Sequence, residues 1–428
     1  MNTDQRGTGV ADLKENGQSQ LCFIRATDFK FRVPLGCDWA ALGYSRGMSS
    51  LTLHHPAPRA CYIHVPFCSH RCGYCDFTLI ARRGDLVEDY LRAMEIELST
   101  LDGSREIDTL FLGGGTPTYL SADQLDRLCS LLLSKFRLAP GYEWSIEANP
   151  PGLTDDKLAV LRAAGVNRVS LGVQTFDSEL LKLLERDHDG EIATDAVRRL
   201  KENFSNVSVD LIFGIPGQTL SHWIDTIDRA TRLGVQHIST YGLTFEAGTA
   251  FWSRRLKGQL CQLPDDLERD MYEAAMDRLP AAGYSQYEIS NFARSGFECL
   301  HNQVYWRAEP FYGFGPGAAA YVDGVRRTNH RSVTTWLKRT LAGEPAIGES
   351  EKLDREGSAR EAVMLGFRPC VGISRAAVRE RYGVELESLA GEAFPRFIAE
   401  GLLELAGDHV RLTRNGRCMA DRVIVEFM

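Results

Sequence analysis

Six apolar runs, each followed by an amphipathic stretch, limit what most of this chain can fold into. The runs are ACYIHV (60–65), TLFLG (109–113), EWSIEA (143–148), NRVSLGV (167–173), VSVDLIFG (207–214) and VQHISTY (235–241). Between them lie helix-like segments such as LVEDYLRAMEIELSTL (86–101), ADQLDRLCSLLLSKF (122–136), TDDKLAVLRAAG (154–165), ATDAVRRLKENF (193–204) and LSHWIDTIDRATRLG (220–234). Apolar strands alternating with helices predict a parallel sheet buried on both faces. Six such units fall short of the eight of a closed barrel, so the expected fold is α/β, a partial TIM-like (β/α)6 barrel.

The pattern begins at Arg59. Residues 1–58 show weak periodicity and read as an irregular N-terminal extension. Met48 lies about a dozen residues before the pattern, so translation is expected to start there, with residues 1–47 dispensable. The barrel is assigned to 59–255. Residues 256–370 follow, with helices and a glycine- and aromatic-rich run, YWRAEPFYGFGPGAAAYV (305–322). The last stretch, 371–428, reads helix, helix, short hairpin (LLELAGDHVRLT), helix. That order predicts a small winged-helix-like domain closing a C-terminal α+β extension.

Charge narrows the partners. The chain carries a formal net charge of −8 over 428 residues, which repels phosphate backbones unless a local basic patch exists. Residues 371–428 hold eight arginines against nine acids, so the winged-helix-like segment is not expected to bind nucleic acid. No apolar run approaches the ~18 residues that span a bilayer. The N-terminus lacks the basic start and apolar stretch of a secretory signal, and with five acids against six bases before Arg59 it is not acid-poor like a transit peptide. Eleven cysteines, an odd number, do not suggest a disulfide framework. A reduced, cytoplasmic protein with one metal site fits better.

That site is YIHVPFCSHRCGYCDF (62–77), which sets Cys68, Cys72 and Cys75 at C-x3-C-x2-C on a loop after the first strand. Barrels do their chemistry on loops at the C-terminal ends of strands. Thiolates are the soft ligands an iron–sulfur cluster needs, and close spacing lets one loop surround it. A structural zinc site of three cysteines with His64 or His70 uses the same residues. A second motif, LFLGGGTPTYL (110–120), ends a strand in glycines that allow close backbone approach to a ligand. Glu147, Gln174, Arg186 and Asp210 sit at or just beyond strand ends, where carboxylates can hold hydroxyls or an ammonium and arginine can hold a carboxylate bidentately.

Taken together, C-x3-C-x2-C and the glycine loop one strand later resemble the radical S-adenosylmethionine (SAM) superfamily. Three cysteines hold a 4Fe–4S cluster there, and the fourth iron takes the amino and carboxylate groups of SAM. Residues 60–330 resemble its oxygen-independent coproporphyrinogen III dehydrogenase family through YIHVPFC, GGGTPT, SIEANP, GVQTF, DLIFGIPGQT and YEISNFA. The resemblance implies metal ligation by Cys68, Cys72 and Cys75. It implies SAM contacts at Tyr62, Tyr74, Gly114, Gly115, Thr116, Glu147, Gln174, Arg186, Asp210 and Thr244, and a second SAM as in the oxidase branch.

That family divides into oxidases and heme chaperones of the HemW type. Oxidases carry a further cysteine two residues after the third ligand, where this chain has Phe77. Chaperones carry H-N-x-x-Y-W, and this chain has HNQVYW at 301–306. Both features favour the chaperone branch. The resemblance then implies heme contacts at His301, Asn302, Tyr305 and Trp306 on a ligand-facing turn, with His301 a candidate iron ligand and the aromatic rings an apolar platform. It also implies heme as cargo, heme-requiring apoproteins as partners, respiratory enzymes at the inner membrane face among them, and a homodimer. The alternative is radical decarboxylation of coproporphyrinogen III, and a third option is radical chemistry on heme itself, such as ring opening.

Overall fold

The computed structural model describes residues 56–428. The expectations for the first 55 residues, Met48 included, lie outside that range. The six apolar runs form six parallel strands: β1 (Ala60–Val65), β2 (Arg105–Gly114), β3 (Phe136–Ala148), β4 (Arg168–Gln174), β5 (Asn206–Phe213) and β6 (His237–Gly242). They pair in chain order. Three short strands extend the same sheet: β7 (Ser285–Gln286), β8 (Asn291–Ala293) and β9 (Tyr312–Phe314). The sheet runs β9-β1-β2-β3-β4-β5-β6-β8-β7 and stays open, with β9 and β7 at its edges. β8 and β7 are antiparallel additions, whereas β9 joins parallel to β1, matching Cys61 with Tyr312 and Ile63 with Phe314. This seventh parallel strand lies in the glycine-rich run, where the apolar pattern is too short to mark it.

The connecting helices are α1 (Val87–Leu98), α2 (Ala122–Lys135), α3 (Asp155–Ala164), α4 (Ser178–Leu183), α5 (Gly190–Asn203) and α6 (Leu220–Arg232). Their starts follow capping chemistry. Ser121 and Gln124 form a reciprocal capping box on α2, and Asp189 accepts from two backbone N–H groups of α5. Phe136 departs from the expectation: it opens β3 in extended geometry instead of ending α2.

Each strand also carries a period-2 alternation that the apolar content masks. In β4, Val169, Leu171 and Val173 belong to the hydrophobic core, while Arg168, Ser170, Gly172 and Gln174 line the opposite, concave face. In β5, Val207, Val209 and Leu211 are core, and Asp210 and Ile212 face inward. The helices therefore cover an oily outer face, and the barrel's lumen is polar.

Beyond the barrel come α7 (Ala250–Leu256), α8 (Asp265–Ala281), α9 (Leu300–Trp306), α10 (Val333–Leu341) and α11 (Arg355–Gly366). Before its hairpin the last segment holds three helices, Arg375–Tyr382, Leu386–Ala390 and Ala393–Ala399, where two were expected, and after it two short ones, Arg414–Cys418 and Ala420–Ile424, where one was expected. The hairpin pairs Leu403–Ala406 with His409–Leu412, and Ile373–Ser374 adds a third strand to it. Among the described residues, no helix is long and apolar enough to cross a membrane.

Candidate functional site

All six main strands point their C-terminal ends toward one cleft. The loop after β1 supplies Cys68, Cys72, Tyr74, Cys75 and Phe77 to its wall. Its backbone is fixed locally: Phe67 and Cys68 pair with Ile80 and Ala81, and the Cys75 N–H donates to the Cys72 carbonyl at 3.1 Å. Arg71 staples it further, donating to the carbonyls of Cys75 (3.2 Å), Phe77 (3.3 Å) and Leu79 (2.8 Å). Removing three such bonds from a charged donor costs loop order, since each contributes on the order of 1 kcal/mol. Arg71→Ala is therefore expected to leave the chain folded yet release iron to a chelator about tenfold faster, a difference of ~1.4 kcal/mol in barrier. Release at the unsubstituted rate contradicts the staple.

Burial pushes the Cys68 thiol up to about 12, against a 3.2 Å contact with the Thr116 hydroxyl. The Cys72 sulfur accepts from Arg186 at 3.5 Å. Among the described residues, no three His, Cys, Asp or Glu side chains are drawn close enough to share one metal ion. Of the two histidines in the zinc alternative, one is engaged elsewhere. His64 is buried, its nitrogens engaged by the Tyr62 hydroxyl (3.0 Å) and the Thr78 carbonyl (2.6 Å). His70 lies 3.7 Å from Glu185 and lines the same cleft as the cysteines.

The glycine loop forms the facing wall. Gly114 has φ of +107°, and a Cβ there would lie 2.3 Å from the His64 ring. A Cβ on Gly115 would lie 2.7 Å from the Phe67 carbonyl oxygen. Neither position takes a side chain, so the backbone itself borders the cleft. Glu147 accepts the Gly114 N–H at 2.9 Å. Burial, with Asp210 adding to it, pushes the Glu147 carboxyl up to about 7 against that hydrogen bond. Burial also raises Asp210, opposed by hydrogen bonds from Ser239 and Ser170 and by the cation of Arg168. Arg186 donates to the Asn149 side-chain oxygen (2.5 Å) and the Gly172 carbonyl (2.9 Å).

Asn149, which the sequence reading passed over, ties this wall together: its amide donates to Thr116 at 2.7 Å while its oxygen accepts from Arg186. Arg168, Ser170, Ser239 and Tyr241 were also passed over and line the cleft. The alternation along β4 and β6 is the signal that points to them. Of the expected SAM contacts, Tyr74, Gly114, Gly115, Thr116, Glu147, Gln174, Arg186 and Asp210 meet in this cleft. Tyr62 and Thr244 are not among its lining residues. Tyr62 stacks behind Phe111, with ring centroids 6.1 Å apart.

The expected heme residues do not form one surface, because HNQVYW is the helix α9 and not a turn. His301 is buried beneath the cleft floor, with Nδ1 2.8 Å from the Thr109 hydroxyl and Nε2 2.8 Å from the Tyr305 hydroxyl. Its ring stacks on Phe111, and burial beside Arg168 pushes it down to about 3, so it stays neutral. Asn302 alone of the four reaches the cleft. Trp306 packs elsewhere, under the Arg368 guanidinium 4.5 Å from its ring centre. Glu143 secures the start of α9 by accepting the N–H groups of Leu300 (2.8 Å) and His301 (3.2 Å).

The cleft thus combines three soft thiols, a side-chain-free backbone cradle, two carboxylates and two guanidiniums. The Nε atoms of Arg168 and Arg186 are buried with no hydrogen-bond partner in the structure. These residues fit an iron–sulfur cluster and a zwitterionic, sulfonium-bearing cofactor. Residues 62–230 match the Radical SAM superfamily, and residues 353–419 match the HemN C-terminal domain. The chain is 37% identical over 375 residues to heme chaperone HemW of Bacillus subtilis, covering 86% of this chain and 99% of that protein. It is 32% identical to heme chaperone HemW of Escherichia coli, covering 87% and 98%. Its fold is similar to that of coproporphyrinogen III oxidase (HemN) from Escherichia coli, a radical SAM enzyme, with a TM-score of 0.76 at 24% identity over 87% of this chain and 90% of that one.

Proposed function

The chain belongs to the HemW-type branch of the radical SAM family, and from that premise we propose that it is a heme chaperone, binding heme and delivering it to heme proteins. Family membership implies a 4Fe–4S cluster and SAM. Cys68, Cys72 and Cys75 would hold the cluster, which when bound supplies an electron and an open iron for SAM. The Gly114–Thr116 backbone and Glu147 would take the SAM amino group, Arg186 its carboxylate, and Asp210 and Gln174 its ribose side. In this reading cluster and SAM serve structure, dimerisation or regulated transfer. The recipients are heme-requiring apoproteins in the cytoplasm, respiratory enzymes at the inner membrane face among them.

One observation carries the chaperone over the decarboxylase: Phe77 lines the cleft where the oxidase branch has a cysteine. An apolar ring at that wall offers neither a thiol nor a proton to a substrate. The protein is expected to bind heme stoichiometrically in a visible titration. Reduced and SAM-loaded, it is expected to form no protoporphyrinogen from coproporphyrinogen III under anaerobic conditions. Appearance of the divinyl product overturns the reading.

A further inference from the structure

Helix α9 borders a second hollow, a groove between it and the helix Arg375–Tyr382. Trp306, Tyr287, Ile373 and Val378 line it, and Val371 at its rim is 58% exposed. Contiguous apolar surface left open to water marks a binding surface, and Leu300 in the same lining is 43% exposed. Two cations stand in this lining, Arg307 and Arg381, against a single acid, Glu298. Glu298 already accepts the Gly296 N–H at 3.1 Å. Arg381 donates only to the carbonyls of Arg307 (3.2 Å) and Ala308 (2.9 Å) at the end of α9, and Arg307 to the Gln303 side-chain oxygen (2.6 Å). Neither forms an ion pair among the described residues. Glu309 feels both charges but lines a different pocket.

The groove also holds Cys370, a free and partly exposed thiol. Apolar walls, two guanidiniums outside any ion pair and a soft donor describe a flat apolar dianion with a thiophilic metal at its centre. Resting on the chaperone reading, we infer that this groove is the seat of heme, with Arg307 and Arg381 meeting the propionates and Cys370 ligating the iron. Propionate recognition by guanidinium is a charge-assisted pairing. Ligation forms a sulfur–iron bond, and the thiol proton passes to solvent with no change of oxidation state. The cluster cleft and the heme seat are then separate, with Asn302 facing one and Trp306 the other.

The test titrates the cluster-loaded protein with hemin and, in parallel, with iron-free protoporphyrin IX. Charge reversal in Arg307→Glu/Arg381→Glu is expected to weaken both ligands at least about tenfold, whereas Arg307→Lys/Arg381→Lys stays within about threefold. Arg307→Glu alone, at an exposed residue, gives the same direction should the double reversal unfold. Cys370→Ser is expected to shift the Soret band of the hemin complex and to leave iron-free porphyrin affinity unchanged. Unaltered hemin affinity in the charge-reversed proteins, or an unaltered spectrum in Cys370→Ser, overturns the groove while the chaperone reading stands. Failure of the unsubstituted protein to bind hemin at all overturns both.

Discussion

Replacing Cys68, Cys72 or Cys75 singly with alanine is expected to remove the cluster entirely from anaerobically reconstituted protein. Iron and sulfide should fall to background, because two thiolates on one loop cannot retain a cube that needs three. His64 is committed to Tyr62 and Thr78, and the other described cysteines do not line the cleft. Cys61 on β1 and Cys129 on α2 are buried in the hydrophobic core, and Cys299 contacts Glu143. Cys61→Ala and Cys129→Ala should keep the full complement of iron and lose only some packing energy, about 1 kcal/mol. A full cluster in any of the three loop variants would overturn the ligand set.

His301→Ala is expected to destabilise the fold by about 3 kcal/mol, the sum of a buried void and two lost hydrogen bonds. Thr109 on β2 and Tyr305 on α9 both rely on this imidazole, so the helix loses its attachment to the sheet along its middle turn. The Soret band of the heme complex should not move, since both ring nitrogens already serve the protein. Urea denaturation and a visible spectrum at saturating heme measure the two effects separately. A shifted band with undiminished stability would make His301 an iron ligand after all.

How much of this was legible beforehand varies by residue. The six parallel strands announce themselves because each outer face is a row of Val, Leu and Ile. The cysteine loop does so because C-x3-C-x2-C has few other uses. Arg168, Ser170 and Ser239 were overlooked for the same reason that the strands were found: runs so apolar draw attention to the core-facing residues and away from the alternate ones. Asn149 hid in SIEANP because an amide before proline reads as an ordinary turn former. HNQVYW misled differently. In an α-helix, successive residues turn by about 100°, so His301 and Tyr305 share one side and Asn302 and Trp306 the next, and the second pair, one turn apart, reaches two different hollows. A motif read as one surface is thus divided among the floor of one hollow, the wall of that hollow, and the lining of another.

The strand β9 bears on how the molecule comes into being. β1 is completed on its outer side by Tyr312–Phe314, roughly 250 residues further along the chain. Those residues are held there by Glu97 of α1, which accepts the Gly315 N–H at 2.9 Å. At synthesis rates of roughly 5–20 residues per second, the ribosome needs on the order of tens of seconds to reach this strand after β1 has emerged. Throughout that interval the edge beside the cysteine loop presents unpaired backbone groups, the template on which chains aggregate. A nascent chain of this kind keeps that edge open until its C-terminal third begins to emerge.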